Sequence, residues 1–121
     1  MEKGCVFCKI AAGDLACQKV YEDANYVAFL DKFPRSPGHC QVIPKKHYRW
    51  VWDVEEIGHY FEVCQKVANA QRKVFGTDMI VSHVIGDEVE HAHVWLVPQH
   101  QGKDPSAAPE QIAAMIATAL S

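Results

Sequence analysis

Hydrophobic positions along the chain change period several times, and each change marks an element. Residues 5–12 suit a short helix ended by Gly13. Residues 20–21 and 26–30 read as two strands joined by the polar turn Glu22-Asp23-Ala24-Asn25, a hairpin pattern. Residues 33–38 carry Pro34, Pro37 and Gly38 and predict a loop. Residues 40–43 predict a third strand, stopped by Pro44. Asp53, with Glu56 three residues later, matches a capping box. The helix it opens would carry Ile57, Phe61, Cys64, Ala68 and Phe75 on one face, joined by Tyr60, Val67 and Val74, and stop at Gly76. Residues 79–84 predict a fourth strand, 85–90 a loop and 91–97 a fifth strand. Pro109 starts a last helix with an apolar stripe of Ile112, Met115, Ile116 and Ala119. The order predicts an α+β fold, with an antiparallel sheet covered on one side.

The densest chemistry lies in residues 91–98, His-Ala-His-Val-Trp-Leu-Val-Pro. Side chains of a strand alternate between faces. His91, His93 and Trp95 therefore share one face, while Ala92, Val94 and Leu96 point towards a core. The two imidazoles would stand about 7 Å apart along the strand. Imidazole serves metal ligation, nucleophilic attack and proton transfer near neutral pH. An edge strand with two solvated histidines has the same pattern.

Bulk properties narrow the class. The chain has 121 residues, which predicts one domain over 1–121. A chain of that length buries about 65% of its unfolded surface, enough for a core without disulfides. Hydrophobic residues make up 49% and charged residues 22%, as in soluble globular proteins. A net charge of −3 argues against nonspecific nucleic-acid binding. No apolar run approaches the ~20 residues of a membrane span, and Met-Glu-Lys-Gly-Cys does not open a secretory signal. Five cysteines, an odd number, suit reduced thiols in a cytoplasm. Cys5 and Cys8 form Cys-x-x-Cys, which supplies half of a tetrahedral zinc site. The other ligands would come from His39, His47, His59, His83, His91, His93 or His100. Two structural thiols without metal fit the same motif. A redox role needs a preceding strand, and only four residues precede Cys5. Cys17, Cys40 and Cys64 lack a partner at ligand spacing and read as buried apolar residues.

Three motifs in order carry a resemblance: Cys-Val-Phe-Cys-Lys-Ile at 5–10, Ser-Pro-Gly-His-Cys-Gln-Val-Ile-Pro-Lys-Lys-His at 36–47, and the octet. Over about residues 5–98 the chain resembles the histidine triad family, most of all its Hint-like branch of nucleotide hydrolases and transferases. The resemblance implies an antiparallel sheet on helices, continued across a homodimer. It implies that His93 attacks the α-phosphorus of a purine nucleotide, giving a nucleotidyl-histidine that water hydrolyses. The His91 carbonyl would hold the other ring nitrogen of His93. Zinc would sit on Cys5, Cys8, His47 and His91 as a structural ion. Val6, Phe7, Ile10, Phe29 and Leu30 match base-contacting positions, and Asp31 matches the carboxylate that holds the ribose hydroxyls. His39 matches a position close to the nucleotide.

Two stretches depart from the family pattern. Trp95 occupies the third triad position, where indole can donate one hydrogen bond but cannot titrate. The galactose-1-phosphate uridylyltransferase branch carries glutamine there. The 82–90 loop is about two residues shorter than in Hint-like relatives; Ser82 stands where they have asparagine, and Gly86 can still turn an amide towards phosphate. Asp87 and Glu88 add negative charge near an anionic substrate unless they face away; Glu88 is counted with Ser82 and Gly86 at the phosphate end. The leading expectation is a phosphoramidate hydrolase or nucleotidyl transferase. A dinucleoside polyphosphate hydrolase, or a non-catalytic nucleotide-sensing or partner-binding module that keeps fold and zinc, are the alternatives.

Overall fold

The computed structural model describes residues 4–102 and 104–121. The elements run α1 (Val6–Ala12), β1 (Lys19–Glu22), β2 (Tyr26–Leu30), β3 (Cys40–Pro44), α2 (Ile57–Phe75), β4 (Ile80–His83), β5 (Val94–Pro98) and α3 (Pro109–Leu120). The strands pair antiparallel in the order β1-β2-β3-β5-β4, giving the α+β architecture that the sequence predicts.

Both faces of this sheet are covered, not one. On the first, Ala28, Val42, Val94 and Leu96 pack with Tyr60, Val63 and Val67 of α2 and Ile112 and Ile116 of α3. On the second, α1 lays Phe7 and Ile10 over Val27, Phe29 and Ile43. The continuous burial of β2 and β3 follows, because successive residues meet different layers. A helix of seven residues leaves too weak a periodic signal to reveal that second layer.

Two boundaries differ from expectation. Asp53 ends a short 3₁₀ turn, Val51–Asp53, and α2 begins at Ile57 with no side-chain cap from Glu56. Val54 adopts an extended conformation that sinks its side chain into the core, and this interrupts the helical path. Within α2 the buried face carries Val63 and Gln71, while Phe61 lies mostly outside it. The second change concerns β5, which starts at Val94 instead of His91. Its pairing with β3 runs only from Cys40–Leu96 to Val42–Val94. Residues 91–93 continue beside the chain beyond β3, where the Ala92 amide donates to the Tyr48 carbonyl at 2.6 Å. The alternation survives the loss of ladder: Ala92 joins the helix-side core, and His91 and His93 meet Phe7 on the other face.

Gln71 ties α2 to the rest, its Nε2 donating to the carbonyls of Gly38 (2.9 Å) and Leu96 (3.0 Å). Gly38 has φ +88°, and a Cβ there would overlap the Phe75 ring. Gly38→Ala should destabilise the fold by about 2–4 kcal/mol, from strain plus overpacking. Urea unfolding should show a lower midpoint at an unchanged slope.

Candidate active site and metal centre

Cys5 is the N-cap of α1, and its Sγ accepts from the Cys8 amide at 3.2 Å. The first helical turn thus gathers both sulfurs at one end. The chain after β3 brings His47, and the segment before β5 brings His91. Ligand atoms of Cys5, Cys8, His47 and His91 all lie within 4.8 Å of one another. Cys8 Sγ is 3.2 Å from His47 Nδ1 and 3.3 Å from His91 Nδ1; Cys5 Sγ is 3.3 Å from that same nitrogen. The Pro44 carbonyl can only accept, so His91 Nε2–H donates to it at 2.8 Å and Nδ1 is bare. Two sulfurs therefore converge on one lone pair, more than hydrogen bonding accounts for. A tetrahedral zinc with bonds of about 2.0–2.3 Å sets its ligand atoms about 3.3–3.8 Å apart. The donor types, spacing and carbonyl behind the imidazole all fit such an ion. Burial lowers the His91 pKa to about 4, outweighing the Pro44 carbonyl bond, which acts to raise it. The ring is then neutral at physiological pH, the form a metal requires.

The other cysteines lie outside this cluster. Burial pushes the Cys40 and Cys64 thiols up to about 12, as inert core groups. Cys17 is half-buried and shifted upward by the same cause. Among the remaining histidines, His59 faces Asp23 at 3.7 Å and His100 bonds the Pro37 carbonyl at 2.6 Å.

The nucleophile candidate is set by the same segment. His93 Nδ1–H donates to the His91 carbonyl at 2.7 Å, so Nε2 is the bare nitrogen of the neutral ring. Phe7 packs edge-on against the ring, with centroids 5.2 Å apart. His93 also lines a cavity of about 420 Å³ with Trp95, Arg35, His83, Ile85, Gly86, Asp87 and Glu88. That volume lies within the usual range for small-molecule sites.

Of the residues expected at the phosphate end, Trp95, Gly86 and Glu88 line this cavity, and Asp87 joins them. Two acidic residues thus border it. Gly86 has φ +83°, and its carbonyl accepts from Arg49 Nη1 at 2.6 Å. Arg49 in turn stacks 3.7 Å above the Trp50 ring, so a guanidinium pins the loop. Ser82 is not at the cavity. It pairs with Leu96, whereas its neighbour His83 pairs with Trp95 and takes the cavity side. Arg35 and His83 were not legible as cavity residues. Arg35 sits in an irregular loop, and the side of β4 that carries His83 depends on register.

The residues matched to the nucleoside end lie apart from this cavity. Phe7, Ile10 and Phe29 are buried in the α1 layer, Val6 is 38% exposed, and Leu30 packs on the helix-side core. Asp31 accepts from Gln41 Nε2 at 2.7 Å and from the Phe33 amide at 2.8 Å. His39 Nε2 lies 3.6 Å from that carboxylate, and His39 is buried. Burial lowers the His39 pKa, and Asp31 opposes the shift. The Arg35 amide donates to His39 Nδ1 at 3.1 Å, so Nε2 carries the proton; it has no hydrogen-bond partner among the described residues. His39 also contacts Trp95 edge-on at 4.7 Å, which links the two ends.

Residues 12–102 match the HIT domain family. The chain belongs to this family. An uncharacterised HIT-like protein of Methanocaldococcus jannaschii is 36% identical over 104 residues, spanning 81% of each chain. An adenosine 5'-monophosphoramidase of Schizosaccharomyces pombe is 34% identical over 101 residues, 78% of this chain and 74% of its own. In structure, this HIT domain is similar to a zinc-bound histidine triad family protein from Mycobacterium smegmatis, with a TM-score of 0.86 and 29% identity over 97% of this chain and 93% of that one. Among the described residues no helix of the HIT domain is long and apolar enough to cross a membrane.

The Arg49 clamp has a measurable consequence. Arg49→Ala removes the one side-chain hydrogen bond to the Gly86 carbonyl among the described residues. Amide exchange over residues 86–88 should quicken about tenfold, the scale of one lost charged hydrogen bond. Amides of β2 and β3 should keep their protection.

Proposed function

We propose that this HIT domain is a zinc-stabilised nucleotide hydrolase or nucleotidyl transferase of the Hint-like branch. His93 attacks the α-phosphorus of a purine nucleoside phosphoramidate or a related phosphoester. One observation carries the reading: the His91 carbonyl holds His93 in the tautomer whose unprotonated Nε2 belongs to a cavity-lining ring. A neutral imidazole in that state is a nucleophile without a separate base. The attack forms a P–N bond to His93 and breaks the bond to the leaving group, and water later releases the nucleoside monophosphate.

The remaining roles follow from position. Arg35 is the only Lys or Arg lining the cavity among the described residues and supplies positive charge for phosphoryl oxygens. Gly86 brings a backbone amide close to the same oxygens. Trp95 takes the third triad position as an aromatic wall beneath Arg35, whose guanidinium lies 5.2 Å from the ring centroid. Asp31, oriented by Gln41 and Phe33, keeps lone pairs for ribose hydroxyls, with His39 beside it. Val6, Phe7 and Ile10 of α1, with Phe29 of β2, form the apolar ground against which the base rests; Leu30, which packs on the helix-side core, takes no part. Cys5, Cys8, His47 and His91 hold zinc as a closed structural ion that fastens α1 to the catalytic segment. A homodimer that continues the sheet needs a bare edge strand, and β4 is one.

The charge of the cavity bears on the leaving group. Asp87 and Glu88 share it with His93. Two carboxylates repel a departing phosphate or nucleotide and attract an amine. This favours a phosphoramidate over a dinucleoside polyphosphate, in line with the activity named for the Schizosaccharomyces pombe relative.

His93→Ala should reduce turnover of adenosine 5'-phosphoramidate at least about 10³-fold while AMP affinity changes less than about threefold. Native protein that binds AMP at micromolar affinity without turnover would instead be a nucleotide-sensing module. Metal analysis should find one zinc per chain. Cys8→Ala should abolish it and lower the melting midpoint by about 10 °C or more; a native metal content near zero rules the centre out.

A further inference from the structure

Trp95 leaves a gap in the chemistry proposed above. An amine departing from phosphorus needs a proton, and indole has none to give at neutral pH. The cavity holds another imidazole. His83 ends β4, pairs across the sheet with Trp95, and meets the indole edge-on with centroids 5.8 Å apart. Cross-strand partners project from the same face, so His83 stands beside Trp95, on the adjacent strand. It is exposed and lines the same cavity as His93. Its surroundings are mixed in charge: Asp87 and Glu88 from the loop after β4, Arg35 from the loop before β3, and His93 itself all line the cavity, with buried His39 across Trp95.

Resting on the nucleotidyl-transfer reading, we propose that His83 is the general acid for the leaving group, one strand away from the position where Trp95 stands. The protonated His83 ring gives its proton to the departing amine nitrogen as the P–N bond to the amine breaks and the P–N bond to His93 forms. In the second half, water attacks the same phosphorus and the His93–P bond breaks. The proton lost by water returns to His83, and the cycle closes with no further co-reactant. His83 differs here from the zinc cluster and from His39: it is exposed, it borders the nucleophile's cavity, and it bonds no backbone carbonyl among the described residues.

The test compares two leaving groups in native protein and in His83→Ala. One substrate is an adenosine 5'-phosphoramidate of a simple alkylamine, which must be protonated to leave. The other is adenosine 5'-(p-nitrophenyl phosphate), whose phenolate leaves unaided. A general acid is worth about 10²–10⁴-fold. The expected result is a fall of about 10²-fold or more in kcat/KM for the amine, with the nitrophenyl ester changed less than threefold. The alkaline limb of the amine's pH profile, present in native protein, should vanish in the variant. Equal loss on both substrates, or no loss on either, overturns the role of His83. Native protein that turns over neither substrate overturns the nucleotidyl-transfer reading itself, and His83's role with it. Rapid ester turnover in native protein together with an amine rate indifferent to His83 spares that reading and removes only the acid.

Discussion

Three layers of the molecule meet at His91. Its Nε2–H is tied to the Pro44 carbonyl at the end of β3, its Nδ1 faces the two sulfurs on α1, and its own carbonyl accepts from His93. One residue thus fixes where the N-terminal helix sits, which nitrogen of the cysteine–histidine cluster is available, and which nitrogen of His93 is free. The residue is fully buried, so neither bond is diluted by water. Loosening this residue would release helix α1 and the tautomer of His93 together.

The fold divides the site into a dry half and a wet half. Around Phe7, Phe29 and Ile43 the second core layer is apolar and closed. Beyond His93 lies a cavity bordered by an arginine, two carboxylates and an imidazole. The boundary between them is made of rings: Phe7 against His93, then Trp95 against His39 and His83. Such an arrangement suits a substrate with an apolar end and a charged end. Rigid rings hold the boundary, and the polar groups sit on loops and an edge strand.

Arg49 and Trp50 show how the wet half is kept in shape. Val84 and Val89 rest on the two core layers at either end of the loop after β4, and between them Gly86 adopts a backbone conformation that only glycine enters readily. A guanidinium sandwiched between an indole and a carbonyl holds the loop at that glycine. The loop is therefore held by side chains from the segment that follows His47, itself a member of the cysteine–histidine cluster.

Local pattern was enough for the succession of helices and strands, the Gly13 and Gly76 stops, and the alternation that sends His91 and His93 to the face opposite Ala92 and Val94, because each depends on neighbours a few residues apart. The Cys-x-x-Cys spacing placed the two sulfurs on one helical turn for the same reason. What the sequence could not determine needed distances across the chain. The second layer under α1, the start of β5 at Val94, and the extended Val54 that detaches Asp53 from α2 all follow from packing, which competes with local propensity and here prevails. The placement of His83 in the cavity, with Ser82 turned away, hangs on the register of β4 against β5. A shift of one residue would exchange the two, and only the folded sheet decides it.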